Sequence, residues 1–188
     1  MIFILSGPSG SGKTTLRDLL FKDRSVKNKF VKSVSFSTRP RRLGEKEGRD
    51  YFFISRAEFF RLKRARKILE WTKYLGYYYG TKKELVANAL KKGKNVMLCL
   101  DFKGMRRLKK LYPKETKAIF IMPPSIKELH KRIKGRSLET KDEEIGRRVN
   151  LARKELENVS LYDFTISNVN LKQAVKGLRD IVLQKRVV

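Results

Sequence analysis

An octapeptide near the start, Gly7-Pro8-Ser9-Gly10-Ser11-Gly12-Lys13-Thr14, limits what this chain can fold into more than any other segment. Its spacing is G-x-x-x-x-G-K-[ST]. Glycines at these intervals let successive backbone N–H groups turn inward around a polyphosphate, and the helix that follows adds its positive N-terminal end. Lys13 is then placed to reach the β/γ-phosphates, and the Thr14 hydroxyl to ligate Mg²⁺. The flanks agree with the loop. Ile2-Phe3-Ile4-Leu5 is a short apolar run that predicts a buried strand. Thr15-Leu16-Arg17-Asp18-Leu19-Leu20 carries leucines at i, i+3 and i+4, the spacing of one helix face. Strand, glycine loop and helix follow one another as a phosphate cradle requires.

The rest of the chain alternates strand-like and helix-like segments, which implies a parallel sheet covered on both faces. Buried strands are expected at residues 95–100, 117–122 and 164–166. Ser55-x-x-Glu58, Thr81-x-x-Glu84 and Ser125-x-x-Glu128 read as capping boxes that open helices. The helix from Thr81 is expected to end near Gly93, and a long helix spans 143–158 after a charged loop at 136–142. Residues 30–36 alternate like one strand, and 68–74 with 76–80 like an antiparallel pair around a turn. Residues 33–80 break the βα rhythm and are expected to form an inserted lobe. The core is then 1–32, 81–123 and 150–188, with a lid region at 124–149. The length of 188 residues suits one such α/β domain.

Lys plus Arg number 46 against 19 Asp plus Glu, a net charge of +27. That excess favours anionic partners. Incidental nucleic-acid binding is one reading. The other is a phosphate-rich site surrounded by solvated helix faces. Basic stretches such as residues 61–67 and 106–110 keep apolar residues at intervals, as amphipathic helices do, which favours the second reading. The single cysteine, Cys99, excludes a disulfide within the chain. No segment approaches the ~20 apolar residues of a membrane span, and the apolar start is too short for a signal peptide. A cytoplasmic setting is expected. Oligomeric state is open.

A cradle for polyphosphate leaves the acceptor unspecified. Ser35-x-Ser37-Thr38-Arg39-Pro40-Arg41-Arg42-x-Gly44-Glu45-x-x-Gly48-x-Asp50-Tyr51-x-Phe53 gathers hydroxyls, arginines and a tyrosine in one loop. Arginine forks bind phosphate monoesters bidentately. This loop, together with Glu70, Tyr78-Tyr79-Gly80-Thr81, Asp101-Phe102-Lys103-Gly104, Pro123-Pro124-Ser125 and Asn168, resembles the guanylate kinases over roughly residues 2–183.

The resemblance implies a P-loop NTPase fold with a parallel central sheet, a mixed GMP-binding lobe and a helical lid. It also implies Mg²⁺-dependent transfer from ATP to GMP, with dGMP as a further acceptor. Arg39, Arg42, Tyr51 and Tyr79 would hold the GMP phosphate. Ser35, Glu70, Gly80 and Thr81 would surround guanine, with Asp101 close by. Residues 7–14, Thr15, Arg132, Arg136 and Asn168 would bind ATP. Lys13, Arg39, Asp101, Arg132, Arg136 and Arg148 form the implied catalytic set, and Thr14 and Asp101 the metal set. Glu70 has a clear logic: guanine presents N1–H and N2–H₂ donors on one edge, whereas adenine presents an acceptor at N1. Related sugar-bisphosphate kinases should lack this Glu and the paired Arg loop. Protein-binding modules of the same family typically lose an intact P-loop.

Two positions depart from the pattern. The family commonly carries Asp-x-Asp after the central strand, and here the first position is Cys99, which cannot serve a hard cation as a carboxylate does. Val169 stands where an Asp often follows the asparagine. His130, the only histidine, is expected to be structural or at the surface.

Overall fold

The computed structural model describes residues 1–135 and 142–184. Its centre is a five-stranded, all-parallel sheet. The strands are β1 (Ile2–Ser6), β2 (Phe30–Lys32), β7 (Asn95–Cys99), β8 (Thr116–Met122) and β9 (Phe164–Ser167), in the order β2-β7-β1-β8-β9. All of β1 is buried, as the apolar run predicts. Successive side chains of a strand face opposite ways. Phe3 and Leu5 therefore pack with Leu16, Leu20 and Leu178 on one face, and Ile2 and Ile4 with Val86, Met105 and Leu108 on the other. Helices α1 (Lys13–Leu20) and α8 (Leu171–Val182) cover the first face, and α4 (Lys83–Lys91) and α5 (Phe102–Leu111) the second. The P-loop leaves β1 at the carboxyl end of the sheet, where open parallel sheets place their ligands.

A second, mixed sheet is built from β3 (Ser35–Ser37), β4 (Phe52–Phe53), β5 (Ile68–Tyr74) and β6 (Tyr77–Lys82), in the order β4-β3-β6-β5. Helix α3 (Arg56–Arg64) is capped by Ser55, which accepts from the Glu58 N–H, and packs Phe59 against Phe36 and Tyr78. A third cluster joins α6 (Ile126–Lys134) to α7 (Asp142–Leu156) through Leu129, Ile133, Ile145 and Ala152. Ser125 caps α6 as its capping box predicts.

Three sequence expectations need correction. Residues 30–36 are two strands in two sheets: β2 pairs with β7, β3 pairs with β6, and Ser33 and Val34 bridge them. Thr81 is not a helix cap. The strand β6 runs on through Lys82, and the Thr81 hydroxyl is drawn to Glu70 instead. A short helix, α2 (Arg24–Lys29), appears where none was expected; Asp23 caps it by accepting from the N–H groups of Ser25 and Val26.

Candidate active site

Two φ-positive glycines shape the phosphate loop. At Gly7 (φ 129°) a Cβ would meet the Ile121 carbonyl oxygen at 2.6 Å, and at Gly12 (φ 95°) it would collide with the Asn168 amide. Only glycine fits such a backbone. The Asn168 amide is itself a support. It is buried and donates to the Ser11 carbonyl at 2.8 Å, while its backbone N–H bonds Met122 O at 2.9 Å. Asn168 thus fixes the loop's backbone from the end of β9. Lys13 donates to the carbonyls of Gly7 and Pro8. Thr14 and Thr15 lie exposed on the first turn of α1.

The loop opens into a cleft of about 890 Å³ bounded by both sheets and α7. At one end stands Glu70, 2% exposed and the most buried residue of its strand. A register shift between Ile68 and Trp71 makes a bulge in β5, so that Leu69 and Glu70 together oppose Thr81. Bulges re-aim side chains. Here the carboxyl meets the Thr81 hydroxyl, which donates to its Oε1 at 2.6 Å. Burial, reinforced by the Asp101 charge, pushes the Glu70 carboxyl up to about 7, against the Thr81 hydrogen bond. Helix α5 comes so close that a Cβ on Gly104 would stand 2.9 Å from Glu70 Oε2 and 3.3 Å from Asp101 Oδ1. Asp101 caps that helix by accepting from the Gly104 N–H at 2.8 Å.

The register of β3 against β6 sets Ser35 opposite Thr81 and Ser37 opposite Tyr79. The hydroxyls of Ser35 and Thr81 thereby join Glu70 at one end, and Tyr79 points the way to the other. There Tyr51 and Tyr79 meet edge to face at 5.9 Å, and the Arg39 guanidinium lies 5.1 Å from the centre of the Tyr51 ring. Burial raises both phenols above their ordinary value, Tyr51 to about 12, so both stay protonated hydrogen-bond donors. Arg39 is 8% exposed and forks onto Glu45, at 2.7 Å through Nη1 and 2.5 Å through Nη2. Burial, with Arg39 and Arg148 nearby, pulls the Arg42 guanidinium below its ordinary value. The end opposite Glu70 is therefore a cationic pocket with phenol donors, suited to a phosphate monoester.

The lid residues divide. Arg148 of α7 is buried, lines the cleft and pairs with Glu144. Arg132 does not line the cleft. Its Nε bonds Glu128 at 2.9 Å, one turn back on α6, and its Cβ would stand 3.7 Å from a Cβ on Gly10. Arg136 lies outside the described residues. Asn168, expected at ATP, turns its amide to the loop backbone.

Sequence reasoning named no role for Glu155, and it placed Glu45 and Gly104 in family-like stretches without foreseeing their contacts with Arg39 and Glu70. The spacing of Arg39 and Glu45 carries no helical or strand period that would betray their pairing. Glu155 of α7 lines the cleft; its Oε2 is buried and has no hydrogen-bond partner among the described residues. Burial raises its carboxyl above the ordinary value against the nearby Lys13 charge. Among the described residues no group of three His, Cys, Asp or Glu could hold a metal unaided. Thr14, Asp101 and the orphaned Glu155 oxygen are hard oxygen donors that line the same cleft as Lys13. So small a set fits Mg²⁺, which keeps its waters and binds mainly through substrate phosphates.

The guanylate kinase family model matches residues 1–185. Guanylate kinase of Bartonella henselae is 40% identical over 99% of this chain and 82% of its own length. That of Bacillus subtilis is 39% identical over 100% of this chain and 90% of its own. The crystal structure of guanylate kinase from Anaplasma phagocytophilum superposes with a TM-score of 0.82, at 30% identity, over 100% of this chain and 87% of that one. A match spanning both sheets, the phosphate loop and the helices around the cleft places this chain in the guanylate kinase family, as an ATP:GMP phosphotransferase.

Proposed function

We propose that the cleft holds GMP with guanine at Glu70 and phosphate at the Arg39–Arg42–Tyr51–Tyr79 end, facing ATP in the phosphate loop. One observation carries this reading: a buried carboxyl and a cationic phenol pocket lie at opposite ends of one cleft, and the P-loop lysine opens into it. Ionised Glu70 accepts from guanine N1–H and N2–H₂, with Ser35, Thr81 and Asp101 at the same end. Adenine offers an acceptor there and leaves the carboxylate unpaired, which is costly in a buried site. The groups named here are assigned to the base and the phosphate, which dGMP shares with GMP, so dGMP is an acceptor too.

Phosphoryl transfer needs positioning and charge neutralisation more than covalent chemistry. Tyr51, Tyr79, Arg39 and Arg42 hold the acceptor oxygen in line. Lys13 leaves its own loop carbonyls for the migrating group, and Arg148 approaches from α7. A phosphate oxygen is already a competent nucleophile, so no side chain has to take a proton. Thr14 and Asp101 would hold Mg²⁺, directly or through water, and the ion would supply charge neutralisation to the donor's phosphates. Closure of the lid, with Arg132 and Arg136, excludes water as a competing acceptor. Among the described residues no helix is long and apolar enough to cross a membrane. A reducing cytoplasm suits the free Cys99. The basic surface gives incidental, salt-sensitive attraction for nucleic acid.

The test is a titration of GMP into wild type and Arg42→Met. The variant should bind GMP at least about tenfold more weakly while binding ATP unchanged, as loss of one charge-assisted contact requires. Equal GMP affinity would remove the phosphate end from the cationic pocket.

A further inference from the structure

Three residues that line the main cleft, Thr72, Arg148 and Glu155, each carry a side-chain atom that is closed off from solvent and meets no hydrogen-bond partner among the described residues: Thr72 Oγ1, Arg148 Nε and Glu155 Oε2. Arg148 already has a place at the migrating phosphoryl group. Thr72 and Glu155 hold neither guanine, phosphate nor metal in the arrangement above. A buried polar group without a partner costs about 1–3 kcal/mol, and more when it is charged. That cost is recovered when a ligand supplies the partner.

The register of the mixed sheet fixes where Thr72 stands. Side chains alternate between the faces of a strand, so Glu70, Thr72 and Tyr74 of β5 line the cleft while Trp71 packs behind, in the cluster of Phe59 and Tyr78. Thr72 is the β5 residue directly opposite Tyr79. Residues two apart on a strand are separated by about 7 Å, and neighbouring strands by about 4.8 Å. Thr72 is therefore one step along its own strand from the residue assigned to guanine and one strand across from a residue assigned to phosphate. In a nucleoside monophosphate the sugar joins those two parts. A GMP that reaches from Glu70 to Tyr79 carries its ribose past this corner. Glu155 approaches the same corner from α7. It stands about two turns beyond Arg148, on the same face of that helix. Burial, and then the nearby Glu155 charge, pushes the phenol of Tyr74 up to about 12, which puts the carboxyl close to the next cleft-facing residue after Thr72. A ribose presents two vicinal O–H donors, and the corner offers two oxygens that lack a donor.

We propose that Thr72 and Glu155 form a ribose subsite, in which the Thr72 hydroxyl and the Glu155 carboxylate accept from the 2′- and 3′-hydroxyls of the acceptor nucleotide. This rests on GMP lying in the cleft as proposed above. Thr72 needs at most a turn between staggered χ1 wells to present its oxygen. Lacking one of the two hydroxyls, dGMP stays an acceptor and is a poorer one. The test is calorimetric titration of the full chain at pH ~8 with GMP and with 2′,3′-dideoxy-GMP, which keeps the base and the phosphate. Wild type should bind GMP at least about tenfold more tightly than the dideoxy analogue, and a smaller ratio overturns the proposal. Thr72→Val puts a methyl in place of the hydroxyl, and Glu155→Met removes the carboxylate. Each should shrink the ratio at least about threefold. The ratio is decisive because a loosened α7 or a displaced Lys13 weakens both ligands alike. A ratio that shrinks less than about threefold in either folded variant overturns the proposal. Thermal unfolding checks that each variant is folded, and if Glu155→Met is not, Thr72→Val decides alone. A wrong placement of the acceptor itself shows separately, as an Arg42→Met variant that binds both nucleotides as tightly as wild type.

Discussion

Protonating Glu70 should switch off guanine recognition within the physiological pH range. The carboxyl is 2% exposed and its pKa stands at about 7 instead of 4.5. Guanine N1–H and N2–H₂ require the ionised form. At pH ~6 only about a tenth of the free enzyme carries it, so GMP should bind about tenfold more weakly than at pH ~8. Binding at pH ~6 should also release about one proton from Glu70. The same shift acts on folding. Between about pH 4.5 and 7 the native state keeps a proton that the unfolded chain has lost. The contribution of Glu70 to stability is therefore full below pH ~4.5 and falls by about 3 kcal/mol as pH rises to ~7, where it levels off. Glu70→Gln keeps the acceptor for Thr81 and removes the titration. It should bind GMP about 10- to 100-fold more weakly at pH ~8. Its affinity should vary only with the second ionisation of the GMP phosphate near ~6, which acts on both proteins. Calorimetry in buffers of differing ionisation enthalpy reads affinity and proton release together. Superimposable pH profiles for wild type and Glu70→Gln would refute the reasoning.

Gly104→Ala places a methyl 2.9 Å from Glu70 Oε2. The KM for GMP should rise several-fold and stability fall by about 1–3 kcal/mol, measured by steady-state kinetics and urea unfolding. Asn168→Leu leaves the buried Ser11 carbonyl unpaired. It should cost about 1–3 kcal/mol and raise the KM for ATP more than that for GMP; an equal rise in both would place its effect elsewhere. Cys99→Asp restores a carboxylate two residues before Asp101, so the Mg²⁺ concentration giving half-maximal binding of ATP should drop, and an unchanged Mg²⁺ titration would exclude a role for that position toward the metal.

Local signals carried much of the fold and site. The glycine loop, the apolar run of β1 and the Ser55 and Ser125 caps depend on neighbours in sequence, and each was legible. So was the Arg-rich loop, because hydroxyls, arginines and Tyr51 lie within seventeen residues of one another. What escaped was decided by partners distant in sequence. The alternation of 30–36 does not say that Val31 pairs with Val96 while Phe36 pairs with Gly80. Thr81 has the residues of a helix cap, but Glu70 competes for its hydroxyl, and a short bond inside the lobe outweighs a cap at the surface. Gly104 stands in a stretch that resembles the family, but nothing in the sequence around it shows that its missing Cβ makes room for Glu70. Arg17 reads as one more cation on a basic helix, and only its burial beside Cys99 separates it from the solvated ones.

The account rests on Glu70 reading a guanine edge opposite an arginine–tyrosine phosphate pocket. Initial rates of ADP formation with ATP, Mg²⁺ and either GMP, IMP or AMP as acceptor test it most directly. GMP should exceed AMP in kcat/KM by on the order of 10⁴, with IMP, which keeps N1–H but lacks the 2-amino group, in between. Turnover of AMP as good as that of GMP would contradict it.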